Sequence, residues 1–173
     1  WFWLRKTSGV VSPTLAYGRF GTFSSTIEAG KTFGEVPLGL LSVVPGNQNL
    51  FSIYGTFPQL NYYEFVTDTY ATLHLEHNFG GRIFGRIPFL RKLNLREIIG
   101  FRGAWGSISE ENQLINASNI EYIAPNDEPY YEYSFGVGNI LKVLRIDFNF
   151  RGNYLDTPYA RSFGVTGALE FSF

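Results

Sequence analysis

The chain has 173 residues, enough for one domain and little more. Hydrophobic residues make up 45% and aromatics 18%, yet mean hydropathy is only -0.05, so apolar and polar residues are finely interleaved. A net charge of -1 offers no basic excess for nucleic acid, and the lack of cysteine removes disulfides, thiolate catalysis and Cys-based metal sites.

The longest apolar stretch is the eight residues from Pro37 to Val44, well short of the ~20 a spanning helix needs. No basic and apolar leader opens the chain, which therefore reads as a mature product or a fragment. Residues 1–7 read as the tail of a strand, and 14–22 and 24–33 as strands with weak alternation. Residues 33–64, rich in Pro, Gly and Asn, read as a long loop. Over 65–79, Ala71, Leu73, Leu75 and Phe79 fall opposite Asp68, Tyr70, Thr72, His74, Glu76 and Asn78. The link 80–94 carries Arg82, Arg86, Arg91 and Lys92.

Over 95–105, Leu95, Ile99, Phe101 and Trp105 oppose Arg96, Gly100, Arg102 and Ala104, while Glu97 and Ile98 break the pattern. A polar loop, 106–128, follows. Over 130–141, Tyr131, Tyr133, Phe135 and Val137 oppose Glu132, Ser134, Gly136 and Gly138. A short turn at 142–144 leads to 145–155, where Ile146, Phe148, Phe150, Gly152 and Tyr154 alternate with Asp147, Asn149, Arg151 and Asn153. The last strand, 162–173, puts Phe163, Val165, Gly167, Leu169, Phe171 and Phe173 on one face.

This pattern predicts an all-β fold, an antiparallel up-and-down transmembrane barrel with about eight strands in this chain, complete or part of a larger barrel. Strands of about ten residues, tilted, span the ~25 Å apolar band of an outer membrane. With residue 173 at the periplasmic rim, 33–64 and 106–128 become external loops and 142–144 a periplasmic turn. Outward aromatics then fall at two depths, Trp105, Tyr131, Tyr154 and Phe163 above and Phe79 and Phe173 below, as interfacial girdles do.

Three stretches, 64–81, 86–106 and 133–158 with the terminal Phe-Ser-Phe, resemble the C-terminal barrel region of a large Bacteroidota outer-membrane family of unknown function. Its members commonly carry an N-terminal carboxypeptidase-regulatory-like domain. Residues 26–48 fit the same family, and 1–11 match nothing familiar. The resemblance implies a bacterial outer-membrane location and supplies no substrate. The last two strands are also similar, more distantly, to the end of the Omp85 superfamily of barrel-assembly and translocation proteins.

Three kinds of site follow. Thr166, Gly167, Leu169, Phe171 and Phe173 resemble the terminal signal that barrel-assembly machinery reads by strand addition. His74, Glu76, Arg96, Arg102, Glu132, Asp147, Arg151 and Glu170 are expected to share a luminal charge network. On a strand, His74 and His77 point to opposite faces, so no metal site is expected there. No Ser-His-Asp set converges, and the chain is expected to be neither an enzyme nor a cofactor carrier. Expected partners are outer-membrane lipid, the assembly machinery during insertion and a periplasmic or membrane protein, with no role for nucleic acid. The functional expectation is a non-catalytic barrel, structural or transport-related; the alternatives are an Omp85-like role in assembly or export, or a small closed eight-stranded barrel with a filled lumen.

Overall fold

The computed structural model describes residues 3–116, 123–125 and 127–170. The strands are β1 (Arg5–Val11), β2 (Thr14–Ala16), β3 (Thr22–Phe33), β4 (Ser42–Val43), β5 (Val66–Thr67), β6 (Thr69–Asn78), β7 (Arg96–Ser107), β8 (Tyr130–Ile140), β9 (Leu144–Arg151) and β10 (Phe163–Leu169). Two short helices, α1 (Pro88–Arg91) and α2 (Glu110–Ile115), lie in links between strands. The class is all-β.

The main sheet runs β1-β3-β6-β7-β8-β9-β10, with every neighbouring pair antiparallel. β2 also pairs with β3, on the side away from β6, and Pro13 separates it from β1. A proline cannot donate to the ladder, so β1 and β2 act as one interrupted strand. The sheet is therefore seven positions wide, where separate strands at 1–7 and 14–22 were expected to make eight. β1 and β10 end the path and are not paired with each other among the described residues. Trp1 and Phe173, whose strands would pair if the chain closed by itself as an eight-stranded barrel, lie outside the described residues.

The period-two pattern sets the two faces. In β8, Tyr130, Glu132, Ser134 and Gly136 are buried while Tyr131, Tyr133 and Phe135 are exposed. β9 repeats this with Arg145, Asp147, Asn149 and Arg151 buried and Leu144 and Ile146 exposed. The polar face is concave. Adjacent strands lie ~4.8 Å apart, so β6 and β9, three steps apart, are separated by roughly 14 Å along the sheet. Arg145 on β9 nevertheless reaches Glu76 on β6 at 2.6 Å.

The concave face is filled from within the chain. Residues 33–64, expected to stand outside as a loop, instead fold across it. Val44, Phe57, Leu60 and Phe65 form a buried cluster with Ala104 of β7 and Tyr130 of β8. Gly164 of β10 allows the closest approach, since a Cβ there would lie 2.5 Å from the Gln59 side chain. Part of the loop 106–128 also packs against this segment: α2 lies beside it, with Asn112 Oδ1 accepting the Val36 N–H at 2.9 Å.

The two breaks in the β7 pattern have separate causes. Glu97 falls on the outward face, but the link from β6 covers it, and its carboxylate accepts the N–H groups of Ile83 at 2.6 Å and Phe84 at 3.4 Å. Ile98 faces inward opposite Gly136, which has no side chain to displace it.

Candidate functional site

The inner face of the sheet concentrates the charge. Glu132 is 0% exposed, Asp147 1% and Arg145 7%, whereas on the outer face Ile99 is 47%, Val165 43% and Leu169 61% exposed. An aqueous globular protein buries its apolar side chains and exposes its charges. Here the main sheet does the reverse.

At one end of the wall, Arg145 gathers three carboxylates. Its Nε lies 2.9 Å from both oxygens of Asp147, Nη2 donates to Glu76 Oε2 at 2.6 Å, and Nη1 donates to Glu170 Oε1 at 3.1 Å. The bonds reach from β9 to β6 and to the end of β10 and tie them across the concave face. In the middle, Arg102 Nη1 donates to Asn149 Oδ1 at 3.4 Å, and Asn149 Nδ2 donates to Thr166 Oγ1 at 3.0 Å. His74 packs on the Phe57 ring at 4.9 Å. Arg96 lies half-buried on the same face, paired in register with Gly138.

Toward the other end, Arg151 and Glu132 hold the segment that fills the concave face. Arg151 Nη2 donates to Glu64 Oε1 at 2.6 Å and to the Tyr154 carbonyl at 2.8 Å; Nε donates to the Asn153 carbonyl at 3.0 Å. Its Nη1 reaches the Gln59 carbonyl at 3.4 Å, and the guanidinium lies 5.0 Å from the Tyr130 ring centre. Glu132 Oε1 accepts the Gln59 N–H at 2.9 Å and the Tyr130 hydroxyl at 2.6 Å. Burial disfavours the charged form of Glu64, but Arg151, the Asn61 N–H and the Thr157 hydroxyl outweigh it and hold the carboxyl below its ordinary value. Farther along, Tyr54 shares its hydroxyl with Thr26 at 2.7 Å and Ser12 at 3.4 Å. The Gly167 N–H donates to the Leu50 carbonyl at 2.8 Å, and the Ser52 N–H donates to the Gly167 carbonyl at 2.8 Å. The segment thus touches β10 on one side and β3 on the other. Beside it a cavity of about 500 Å³ is lined by polar groups, among them His74, Glu76, Arg102, Arg145 and Glu170.

The expected network divides into these clusters. Glu76, Asp147 and Glu170 meet on Arg145, which was missed although it shares parity with Asp147 and Arg151. Including it gives four inward arginines against the four expected acids. Arg151 pairs with Glu64 of the filling segment, and Glu132 bonds to Gln59 and Tyr130. No local pattern marks Glu64 or Gln59, because a loop has no period. The HLEH stretch splits across the sheet: His77 lies outside between Phe23 and Phe79, with Nε2 3.0 Å from the Phe20 carbonyl. Among the described residues no group of three or more metal-binding side chains is present.

Trp105, Tyr131 and Phe163 are exposed on the outer face, and Phe79 lies half-buried just past β6. Tyr154 does not join them. β9 ends at Arg151, and the Tyr154 ring packs 5.2 Å from Phe65 with its hydroxyl donating to the Glu128 carbonyl at 2.5 Å. Of the terminal segment, Thr166 is buried, Gly167 holds the bonds to Leu50 and Ser52, and Leu169 is exposed; Phe171 and Phe173 lie outside the described residues.

The C-terminal domain model of a family of unknown function (DUF5686) matches residues 6–110. The chain belongs to this family. The match runs from β1 through β7 to the first residue of α2 and so includes the filling segment. No curated protein and no solved structure matches the chain.

Proposed function

We propose that this chain forms part of the wall of a β-barrel in a bacterial outer membrane, and that residues 44–65 occupy the lumen. The role is non-catalytic, structural or transport-related. The observation that carries this reading is the inverted burial of the main sheet: charges inside, apolar side chains outside over strands of up to 12 residues. A lipid-facing exterior accounts for the exposed apolar face, and an ionic interior satisfied by its own partners accounts for the buried charge. Outer-membrane lipid is then the solvent of the outer face. The basic link before β7 sits at the rim where phosphate headgroups lie, and β10 carries part of the pattern that assembly machinery reads by strand addition.

Trp105 provides the test. In a full-length variant in which every tryptophan except Trp105 is replaced by Phe, Trp1 and Trp3 among them, emission is expected to be strongly quenched in vesicles made with brominated acyl chains. Unquenched emission, with the protein extracted from membranes by alkaline carbonate, would refute the reading.

A further inference from the structure

The main sheet has seven positions, β1, β3, β6, β7, β8, β9 and β10, with antiparallel pairing at every step. Direction reverses at each step, so β1 and β10 run the same way. Pairing them directly would insert one parallel ladder into an otherwise antiparallel wall, whereas single-chain bacterial barrels close with an even number of strands. A second copy related by an axis along the barrel brings its β10 to this β1 in that same direction. It fails for the same reason. Only an odd number of intervening strands restores the alternation.

The contents of the concave face set the size. An eight-stranded barrel has an interior just wide enough for side chains. Here the interior holds the wall's side chains and also the backbone of 44–65, with Phe57, Leu60 and Phe65 fully buried. One added strand would bring the wall to eight and leave no room for that segment. The exposed surface agrees. Leu50 and Tyr54, at the tip of the segment, are each 79% exposed, although the Leu50 carbonyl bonds to β10 and the Tyr54 hydroxyl to β3. β1 is exposed at all seven residues, and its outer edge makes no main-chain hydrogen bond among the described residues. A wall on that side would cover both.

We infer that an odd number of further antiparallel strands of the same polypeptide, about three or more, stands between β10 and β1 and completes a barrel of about ten strands or more around residues 44–65. The strand next to β1 alternates apolar outward with polar inward residues. The Leu50–Ser52 segment bonds the free edge of β10 at Gly167, so the strand that meets β10 pairs with the remainder of that edge. This inference rests on reading the sheet as a barrel wall.

Residues 1–173 hold no cysteine, so introduced pairs report cleanly once any cysteine elsewhere in the polypeptide is replaced by serine. In the full-length polypeptide in native membranes, Thr7→Cys with Lys31→Cys, in-register partners on β1 and β3, is expected to form a disulfide on mild oxidation. Thr7→Cys combined in turn with cysteine at each position from 163 to 167 is expected to form none, in monomer or dimer. A photo-crosslinking residue at Ser8 is expected to join a segment of the same polypeptide outside residues 1–173. A disulfide or crosslink between β1 and β10, within one chain or between two, overturns the inference, as does a Ser8 product with a different protein. Quenching of Trp105 by brominated lipid tests the membrane reading separately, so either idea can fail without the other.

Discussion

Arg151→Met is the most informative single perturbation. The Arg151 side chain is 0% exposed and its partner Glu64 8% exposed, at 2.6 Å. Breaking a buried pair by removing one member costs ~3–5 kcal/mol, because the other charge is left in a poor environment. Methionine also leaves the carbonyls of Asn153 and Tyr154 without the donors they now have, each worth about 1 kcal/mol. Glu64 keeps the Asn61 N–H and the Thr157 hydroxyl, which places the total near the middle of that range, about 4 kcal/mol. Glu64→Gln preserves shape and most hydrogen bonds and is expected to cost less, about 1–2 kcal/mol. In the double variant the losses overlap, so a double-mutant cycle should give a coupling of about 1–2 kcal/mol, the whole of the smaller loss. Urea unfolding from lipid vesicles measures all four species. Chymotrypsin gives a second reading, since Phe57 is buried in the parent and should become cleavable once the segment detaches. Additivity within ~0.5 kcal/mol would refute the claim that this pair anchors residues 44–65 to β9.

Two further outcomes follow. Because Glu64 titrates below its ordinary value near 4.5 in the folded protein, its contribution is complete above that value. It disappears as pH falls through the lower folded value, and peptic cleavage at Phe57 should rise over that acid window in the parent but not in Glu64→Gln. On β10, Val165 is 43% exposed on the apolar face, and Val165→Arg should cost ~2–4 kcal/mol in lipid; a cost within about 0.5 kcal/mol, usual for a water-facing site, would count against a lipid-facing wall.

Much of the wall is legible in the amino-acid order. A strand's side chains alternate strictly, so the partition of Arg151 from Phe150, or Asp147 from Ile146, follows from position once the strand is recognised. The same parity held the signal for Arg145, overlooked at the start of its strand. Glu97 and Ile98 look like errors in the pattern because their neighbours come from elsewhere, a covering link in one case and a facing glycine in the other.

By itself, then, the sequence determined an antiparallel sheet with one charged and one apolar face, because those depend on local period alone. Tertiary structure decided the rest. That β1 and β2 share one position, that the sheet counts seven, and that 44–65 lies against the concave face depend on contacts between residues far apart in the chain. Gln59 meets Glu132 and Glu64 meets Arg151 only after the strands have curved. No local pattern encodes such meetings, since their free energy comes from burial and charge pairing that exist only in the assembled wall.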